Sequence, residues 1–512
     1  MPTTITSPRT SWLLACASGA ALALAFPGSG DQAWLAFLAL VPLLIAITGA
    51  APRRAAGLGF VSAVVFWLGT VSWTVPGVMR ATGMSWPRPM LVFIVMILAL
   101  SSFTAVFCVL VARSPVRSGA AYVVVAASVW VALELVRTEL VVRFPWNVLG
   151  YSQYRNPSLI QVASLTGVYG VSFVVVAVNA AVARTVMLGR RWSEALPALG
   201  VGAMVFSAAL IPAWLTPARD VAPAIDVTLI QASIPQEKKW DPAHLAETLG
   251  IYRAMTLGSV TRLPELVVWP ETAVPLRRRD DPAWAYVEDV ARAAGRHLLV
   301  GAPDWQLGQP RNSAFLFDPH GRAIGRYDKR HLVPFGEYVP YHGALFFLDA
   351  IAGQGFPNFV PGAEPGLLST PLGRLGVVIC YEVIFPTEVR SLFTGGADIL
   401  VNLTNDGWFG RSPAPFQHLA MSVFRAVENR TYLVRAANTG ISAIVAPDGR
   451  IVRASGLFTR EVIAGSIARR AETTFYTRHG DVFAWLAVAV AVAALPVRFR
   501  VRRSVRQRAT AT

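Results

Sequence analysis

Charged side chains are scarce in this chain of 512 residues. Asp, Glu, Lys and Arg together make up 15% of it, whereas hydrophobic residues make up 54%, and the mean hydropathy is +0.48. Soluble globular proteins carry roughly 25% charged residues, so the composition excludes an ordinary soluble protein. It predicts an integral membrane protein.

Acidic residues are the scarcer of the two charge classes, with 30 against 46 Lys and Arg, and the formal net charge is +16. Arginines cluster between and after apolar runs, as at Arg53 and Arg54, at Arg190 and Arg191, and in the tail from residue 498. A nucleic-acid groove instead interleaves basic side chains with exposed aromatic ones. The pattern therefore argues against a nucleic-acid partner and is typical of the cytoplasmic loops of membrane proteins.

Cysteine and histidine are also rare, with three and seven residues. Three cysteines do not make a disulfide framework, and Cys16 and Cys108 lie in apolar runs, where cysteine behaves as a small hydrophobe. His331 and His418 stand apart, without the spacing of a metal site, so we predict neither a metal nor a cofactor. Cys380 lies in the polar part of the chain.

Long apolar runs divide the chain into regions. A membrane-spanning helix needs about 20 residues, and we place eight spans at residues 11–26, 34–51, 55–75, 89–111, 120–135, 159–188, 195–215 and 482–497. We therefore predict four regions: a membrane domain of seven helices at 1–218, a polar domain at 222–470, an eighth helix at 480–498 and a basic tail at 499–512.

Arginine placement orients these spans. Counted from a cytoplasmic N-terminus, the even-numbered loops and the C-terminal tail hold more arginine than the odd-numbered loops. Because cytoplasmic loops are enriched in Lys and Arg, both termini are predicted to be cytoplasmic. Seven crossings then place the polar domain outside the cytoplasm.

One carboxylate, Glu134, lies near the end of the fifth apolar run. A carboxylate inside a membrane is a candidate functional group, because placing a charge there is costly. We interpret Glu134 more simply, as a side chain that snorkels to the membrane interface.

The polar domain alternates short β-branched runs with helical stretches. Strands are predicted at 226–231, 266–269, 298–301, 314–317, 376–379, 399–403 and 442–446, and helices at 282–294 and 416–428. Asp-Pro-His-Gly at 318–321 and Pro-Asp-Gly-Arg at 447–450 predict hairpin turns. This alternation indicates a layered α/β domain.

Three residues at predicted strand ends have side chains suited to acyl transfer. Cys380 precedes a turn and a possible helix start at 386–388, and the helix dipole would favour its thiolate. Glu271 lies in an apolar setting that suits a carboxylate which takes and returns a proton, and Lys329 could stabilise an oxyanion. Taken singly, these residues are more often a buried structural cysteine, a solvated carboxylate and a surface lysine. Together they indicate acyl transfer through a thioester.

Three motifs around these residues resemble a known family. They are Trp-Pro-Glu at 269–271, Asp-Lys-Arg-His-Leu-Val-Pro-Phe-Gly-Glu-Tyr-Val-Pro at 328–340, and Ile-Cys-Tyr-Glu at 379–382. They resemble the nitrilase, or carbon–nitrogen hydrolase, superfamily. With the spans before and after the polar domain, the chain is similar over essentially its full length to the apolipoprotein N-acyltransferases, the membrane branch of that superfamily.

This resemblance implies a polytopic α-helical protein of the bacterial inner membrane, with a periplasmic αββα sandwich domain. The family transfers a fatty acyl chain from a membrane phospholipid to the α-amino group of the diacylglyceryl-cysteine of an apolipoprotein. The resemblance implies that Cys380 is the nucleophile, Glu271 the general base and acid, and Lys329 the oxyanion stabiliser.

The resemblance also implies four supporting residues. Glu337 is a second active-site glutamate, Tyr381 and Glu382 lie beside the nucleophile, and Trp240 lies near the substrate.

Two further segments, residues 341–359 and residues 402–409, are candidates for a role near the site. Residues 341–359 are apolar and glycine-hinged, and Phe346 and Phe347 could dip into the membrane interface as part of a lid. The alternative is a loop packed on the domain itself. Residues 402–409 end a predicted strand and could either shape the pocket or form a structural turn.

Two other functions stay open at this point. A membrane-tethered amidase of the nitrilase type would hydrolyse a small carbon–nitrogen substrate, with water resolving the thioester. A transporter or scaffold whose outer domain only binds would have no need of Cys380, so Cys380→Ala would leave its activity intact.

Overall fold

The computed structural model describes residues 7–83, 85–116, 118–189, 191–215, 224–260, 264–275, 282–306, 308–334, 336–338 and 359–494. The predicted lid, apart from Phe359, lies outside the described residues. So does the basic tail.

The N-terminal half of the chain is helical. Its α-helices are α1 (Pro8–Ala25), α2 (Val41–Ala46), α3 (Pro52–Val71), α4 (Thr74–Thr82), α5 (Pro87–Arg113), α6 (Gly119–Leu135), α7 (Pro157–Ile160), α8 (Ala163–Thr166), α9 (Val168–Leu188) and α10 (Trp192–Leu215). Within the described part, five helical segments are long and apolar enough to cross a membrane: Pro52–Val71, Pro87–Arg113, Gly119–Val141, Val168–Leu188 and Ala195–Leu215. This confirms a polytopic helical membrane protein, and the count of eight spans stays a prediction.

Two of the predicted spans are interrupted. The run at 34–51 forms a short 3₁₀ helix, Ala33–Phe37, and then α2, because Pro42 in the first turn of α2 cannot continue an earlier helix. The run at 159–188 divides into α7, α8 and α9, and Gly167, which has a φ of +64°, separates α8 from α9. A Cβ there would lie 2.6 Å from the ring of Tyr476, so glycine is required by space as well as by conformation.

The snorkelling interpretation of Glu134 is wrong. Its side chain lies inside the membrane domain, with 6% of the residue exposed. The carboxylate accepts hydrogen bonds from Trp130 Nε1 at 2.9 Å and from the backbone N–H of Leu149 at 2.8 Å. It stays inside because helix α6 packs against α5, α9 and α10.

The polar region contains the strands and shorter helices. The strands are β1 (Ala224–Gln231), β2 (Leu266–Val268), β3 (His297–Gln306), β4 (Gln309–Phe317), β5 (Ala323–Asp328), β6 (Leu367–Thr370), β7 (Gly373–Ile379), β8 (Ile399–Thr404), β9 (Leu433–Ala437), β10 (Ala443–Val445), β11 (Ile451–Ala454) and β12 (Glu461–Ala468). The helices are α11 (Gln236–Lys239), α12 (Leu245–Ser259), α13 (Ala283–Ala294), α14 (Pro386–Thr394), α15 (Ala414–Asn429), α16 (Phe475–His479) and α17 (Val482–Ala493). Every strand and helix predicted in this region is confirmed.

These elements form two six-stranded sheets. Sheet I has the order β12-β1-β2-β3-β4-β5, and sheet II has the order β11-β10-β9-β8-β7-β6. A buried apolar layer, including Leu229 and Leu299 of sheet I and Val377 and Val401 of sheet II, fills the space between them. Helices α12 and α13 cover the outer face of sheet I, and α14 and α15 cover that of sheet II. The layers are therefore αββα, as the resemblance implied.

The strand directions bring several chain segments to one edge. In sheet I, β1, β2 and β3 are parallel, and β5 runs in the same direction because two antiparallel steps separate it from β3. In sheet II, β7, β8 and β9 are parallel. Ligand sites in α/β sheets lie at the carboxyl ends of such strands, where the segments that follow β1, β2, β5, β7 and β8 begin.

Helix α15 also joins the α/β domain to the membrane domain. Gln417 accepts hydrogen bonds from Trp73 Nε1 at 3.2 Å and Trp146 Nε1 at 2.7 Å, and its amide donates to the Thr70 carbonyl at 3.0 Å. About three turns further along the same helix, Glu428 accepts from the first N–H of α9, that of Val168, at 3.1 Å. The negative charge of Glu428 therefore lies at the positive end of α9.

Glu428 is also half of a buried ion pair, with Arg425 Nη2 at 2.8 Å. Both side chains are fully buried, and Arg425 donates a second bond to Tyr151 Oη of the membrane domain at 3.1 Å. Removing one member of such a pair leaves an uncompensated buried charge, which costs about 3–5 kcal/mol.

We expect Arg425→Met to lower the apparent Tm of the detergent-solubilised protein by far more than Arg253→Met does. Arg253 makes an equally short pair, 2.7 Å from Asp289, but on the surface, where such pairs contribute at most about 1 kcal/mol. Thermal unfolding followed by tryptophan fluorescence measures both variants. Equal shifts in Tm would contradict a structural role for the buried pair.

Candidate active site

Cys380 lies where β7 ends, as the first residue of the 3₁₀ helix Cys380–Ile384. Its φ is +53°, a value that non-glycine residues adopt at a cost. The residue is buried, with 7% exposed, and its carbonyl accepts a hydrogen bond from His418 Nε2 at 3.2 Å. The strained backbone is therefore held by contacts from another element.

The thiol is protonated at neutral pH. Burial raises the pKa of Cys380 above its usual value, and the Glu271 carboxylate adds to the rise. Lys329 and a hydrogen bond with Thr404 act in the opposite direction without reversing the rise. The expected helix-dipole effect is thus outweighed, because α14 begins only at Pro386 while the sulfur is buried. A base is needed to remove its proton.

Glu271, which follows β2, is the candidate for this base. Its side chain is buried, and Oε1 accepts from Asn312 Nδ2 at 2.7 Å and from Lys329 Nζ at 3.4 Å. The backbone reaches this position by passing close to Gly301, where a Cβ would lie 2.4 Å from the Pro270 carbonyl oxygen. A glycine on β3 is therefore required for Glu271 to face the site.

Lys329 follows β5 and has 1% of its side chain exposed. Its Nζ lies 2.9 Å from Glu337 Oε2 and 3.4 Å from Glu271 Oε1. Burial alone would lower the pKa of Lys329, but the two carboxylates outweigh burial and raise it. The lysine is therefore a fixed cation beside the thiol.

Asn312, on β4, links the two glutamates, and sequence reasoning missed it. Its Nδ2 donates to Glu271 Oε1 at 2.7 Å and to Glu337 Oε1 at 2.8 Å, while its backbone oxygen accepts from the Lys329 N–H at 2.8 Å. Within the described residues, its Oδ1 has no hydrogen-bond partner. No motif marks Asn312, because the residue becomes significant only through the pairing of β4 with β5.

Glu382 binds the backbone next to the nucleophile rather than the reacting groups. Its Oε1 accepts from Tyr327 Oη at 2.7 Å and from the backbone N–H groups of Arg330 and His331 at 2.7 and 3.0 Å. Its Oε2 accepts from the Ile379 N–H at 2.7 Å. This carboxylate therefore ties the segment after Lys329 to the strand end that carries Cys380.

Residues 402–409 and His418 form a second set of contacts that holds the backbone of the nucleophile. Asn402 Nδ2 donates to the Val378 carbonyl at 3.2 Å, and Asp406 Oδ1 lies 3.0 Å from His418 Nδ1. Arg435 lies between them, with Nη2 2.9 Å from Asp406 Oδ2. Burial and the Arg435 charge lower the pKa of His418, and Asp406 acts in the opposite direction. The ring nitrogens face two acceptors, the Asp406 carboxylate and the Cys380 carbonyl. His418, isolated in the sequence, is thus part of the site's scaffold.

The segment after β1 adds a residue that the sequence analysis did not single out. Lys239 is 2% exposed, and its Nζ donates to the backbone carbonyl of Glu271 at 3.0 Å. Burial lowers the pKa of Lys239 to about 7, against the opposing effects of Glu271 and Cys380. Trp240, the next residue, is half-buried. Lys239 directly precedes Trp240 in the sequence, but nothing in that segment indicates that its side chain is buried against Glu271.

The structure therefore groups four of the predicted residues: Glu271, Lys329 and Glu337 by hydrogen bonds, and Cys380 within their electrostatic reach. Glu382 holds the backbone next to Lys329 and Cys380 through hydrogen bonds. Tyr381 is half-buried, with its ring 5.1 Å from that of Phe385. A protonated thiol, a carboxylate and a fixed cation in a buried setting can form and resolve a covalent acyl intermediate.

Comparisons with known proteins cover both halves of the chain. The family described as apolipoprotein N-acyltransferase N-terminal domain matches residues 18–181, and the carbon-nitrogen hydrolase family matches residues 226–475. An apolipoprotein N-acyltransferase of Geobacter metallireducens is 40% identical over 516 aligned residues, covering 99% of this chain and 98% of that protein. The corresponding protein of Azotobacter vinelandii is 34% identical over 92% of each chain. Among solved structures, an amidase from Nesterenkonia sp. matches 51% of this chain and 94% of its own, with 22% identity and a TM-score of 0.39.

We expect Glu382→Gln to make the backbone at Cys380 less rigid and its thiol more accessible. The amide would present an N–H group to backbone donors, leaving buried groups unsatisfied at a cost of about 1–3 kcal/mol. Iodoacetamide should then alkylate Cys380 faster than in the wild type, as measured by peptide mass spectrometry. Glu388→Gln is the matched control, because Glu388 is 38% exposed and pairs with His331 at the surface. Unchanged alkylation in Glu382→Gln would refute the supporting role.

We expect Lys239→Met to change how stability depends on pH. The pKa of Lys239 is about 7 in the folded protein against 10.5 for an ordinary lysine, so the unfolded chain binds more protons between these values. Wild-type stability therefore falls as pH falls from 10 to 7 and levels off below. Lys239→Met should lack this contribution, whereas Lys238→Met, at an exposed position, should retain it. Equal pH slopes of Tm in wild type and Lys239→Met would contradict the assignment.

Proposed function

The chain belongs to the apolipoprotein N-acyltransferase family, and on that premise we propose that Cys380 carries the acyl group as a thioester between a phospholipid donor and a lipoprotein acceptor. The protein is an acyltransferase by its family. The observation that carries the residue assignment is the buried cluster in which Lys329 Nζ contacts Glu271 and Glu337 at 3.4 and 2.9 Å, beside a protonated thiol.

In the first half-reaction, Glu271 takes the proton from Cys380 Sγ. The sulfur attacks the carbonyl carbon of a phospholipid ester, and negative charge develops on the carbonyl oxygen near Lys329, whose fixed cation stabilises it. The bond from that carbon to the glycerol oxygen then breaks. Glu271 returns the proton to this oxygen, and a lysophospholipid leaves.

In the second half-reaction, the neutral α-amino group of the lipoprotein cysteine attacks the thioester carbon. Glu271 accepts a proton from the amine, the carbon–sulfur bond breaks, and the proton returns to the sulfur of Cys380. The products are an amide-linked acyl chain and the free enzyme. Because the enzyme alternates between thiol and thioester, the kinetics are ping-pong.

The remaining residues position these groups. Glu337 and Asn312 hold Lys329 and Glu271 in place, which the hydrogen bonds from Asn312 Nδ2 to both carboxylates support. The Oδ1 of Asn312, which has no partner within the part of the chain that the structure describes, accepts a hydrogen bond from the incoming amine. Trp240 and Tyr381, both half-buried, line the substrate's path to the thiol.

We assign the protein to the bacterial cytoplasmic membrane, with the α/β domain on the periplasmic side and both termini in the cytoplasm. The family and the five long apolar helices support membrane insertion, and the arginine distribution supports the orientation. The four predicted regions, 1–218, 222–470, 480–498 and 499–512, are retained as the domain boundaries. In this orientation the site faces the periplasm.

The amidase and the purely binding functions are less well supported. Residues 18–181 match the N-terminal domain of the acyltransferases, a region that a tethered amidase has no need of. A purely binding domain has no use for a buried cysteine at a φ of +53°, since strained backbone of this kind is concentrated at reactive sites.

We expect the wild-type protein, incubated with phosphatidylethanolamine of one chain length, to gain the mass of one acyl group in intact-protein mass spectrometry. Cys380→Ala should gain none. Glu271→Gln should acylate slower by roughly 10²–10⁴-fold, the usual contribution of a positioned base. Glu265→Gln, a half-buried carboxylate at the other end of the same strand, is the matched control and should acylate normally.

Discharge of the acyl-enzyme identifies the acceptor. A diacylated lipopeptide should remove the acyl mass and gain it, whereas water alone should leave the thioester in place. Rapid discharge by water would favour the amidase, and a folded wild-type protein that never acylates would remove the thioester mechanism.

A further inference from the structure

A histidine–carboxylate pair lies beside the nucleophile, outside the buried cluster of the thioester site. His331 Nδ1 lies 2.7 Å from Glu388 Oε1, and the two side chains are 31% and 38% exposed. His331 is the second residue after Lys329, and its ring centroid lies 5.9 Å from that of Tyr381, the residue after Cys380. The pair is therefore open to solvent and close to the nucleophile.

Three contacts fix the imidazole ring of His331. The ring stacks on Phe385, with the centroids 3.8 Å and the planes 22° apart, and the contact with Glu388 sets its rotation. The backbone N–H of His331 donates to Glu382 Oε1 at 3.0 Å, and the same carboxylate binds the backbone next to Cys380. The ring is therefore preorganised relative to the nucleophile, as a group that acts on a substrate must be.

The carboxylate also decides which ring nitrogen carries the proton. An ionised carboxylate can only accept hydrogen bonds, so Nδ1–H donates to Glu388 and the lone pair of the neutral ring lies on Nε2. Within the part of the chain that the structure describes, Nε2 makes no hydrogen bond. A histidine that a carboxylate orients through Nδ1, with Nε2 left available, has the arrangement of a general base.

Other titratable groups face the pair from each element packed against it. They are Lys329 and Arg330 in the same segment, Tyr381 and Glu382 in the 3₁₀ helix Cys380–Ile384, and Glu139 of the membrane domain, within electrostatic reach of Glu388. Glu388 lies in the first turn of α14, where negative charge is favourable. Because Glu388 contacts the ring, its charge compensates the positive charge that His331 gains with a second proton.

The second half-reaction contains a proton that the buried cluster does not take. An α-amino group has a pKa of about 7.7–8.0, so most of a lipoprotein acceptor is an ammonium ion at pH 7. An ammonium has no lone pair and cannot attack the thioester. Glu271 accepts the proton that the attack itself releases, so the earlier proton needs another acceptor.

We propose that His331 is a further catalytic residue, whose Nε2 takes this earlier proton from the α-ammonium of the lipoprotein acceptor, and that Glu388 is its positioning residue. An N–H bond of the ammonium breaks, its electron pair stays on the nitrogen, and the imidazole becomes an imidazolium beside Glu388. The neutral amine then attacks the thioester at Cys380, and the imidazolium gives its proton to solvent. This role rests on the proposed function and concerns its second half-reaction alone.

Single-turnover discharge of the acyl-enzyme isolates this step. Wild type, His331→Gln and Glu388→Gln are acylated with phosphatidylethanolamine, separated from the donor and mixed with a diacylated lipopeptide below saturation at pH 7 and at pH 9. Intact-protein mass spectrometry follows the loss of the acyl mass. His479→Gln is the matched control, because His479 is also exposed and packs on Phe475, with ring centroids 4.4 Å apart, but has no carboxylate partner among the described residues.

We expect His331→Gln to acylate like the wild type and to discharge about tenfold more slowly at pH 7, because it can use only the neutral fraction of the acceptor. At pH 9 the amine is already neutral, and the rate should equal that of the wild type. Glu388→Gln should show a smaller deficit with the same dependence on pH, and it carries the test if His331→Gln does not fold. His479→Gln should match the wild type at both pH values.

A second nucleophile separates a missing base from a displaced thioester. Hydroxylamine, which is neutral at pH 7, should discharge the His331→Gln acyl-enzyme as fast as that of the wild type. Slower discharge by both nucleophiles at both pH values would overturn the proposal, and so would wild-type discharge by the lipopeptide at pH 7. Failure of the thioester mechanism is seen separately, as a wild-type protein that never acylates.

Discussion

The carboxylate of Glu382 is the interaction on which the site depends. It accepts four hydrogen bonds, and the donors come from β5, from the segment after it and from the end of β7. Lys329 and Cys380 follow strands of different sheets, and this carboxylate joins the backbone segments next to them. Because the group is buried and fully paired, it is rigid, and rigidity is what a fixed cation beside a nucleophile requires.

A second constraint comes from the membrane domain. Helix α15 covers sheet II on one face and meets Trp73, Trp146 and Val168 through Gln417 and Glu428 on the other. The same helix carries His418, whose Nε2 lies 3.2 Å from the Cys380 carbonyl. The membrane domain therefore contacts the helix that supports the nucleophile.

Much of the fold was predictable from periodicity. Apolar runs marked the longer membrane helices, and β-branched runs marked the predicted strands, because both signals are local. The errors were of a different kind. The interruptions at Pro42 and Gly167 follow from local chemistry that a hydropathy run conceals, and the burial of Glu134 depends on neighbouring helices. β9, which contains the buried Arg435, and the edge strands lacked a clear period and were missed.

The sequence by itself determined the chemical type of the protein, because Cys380, Glu271 and Lys329 occur in motifs whose residue types and order belong to one family. The tertiary structure alone decided the protonation of the thiol, since burial outweighs the helix dipole there, and it alone identified Asn312 and Lys239. These two residues act through a hydrogen bond to a distant segment. A contact of that kind leaves no local pattern in the chain, because it exists only once the two sheets have packed and aligned their strand ends.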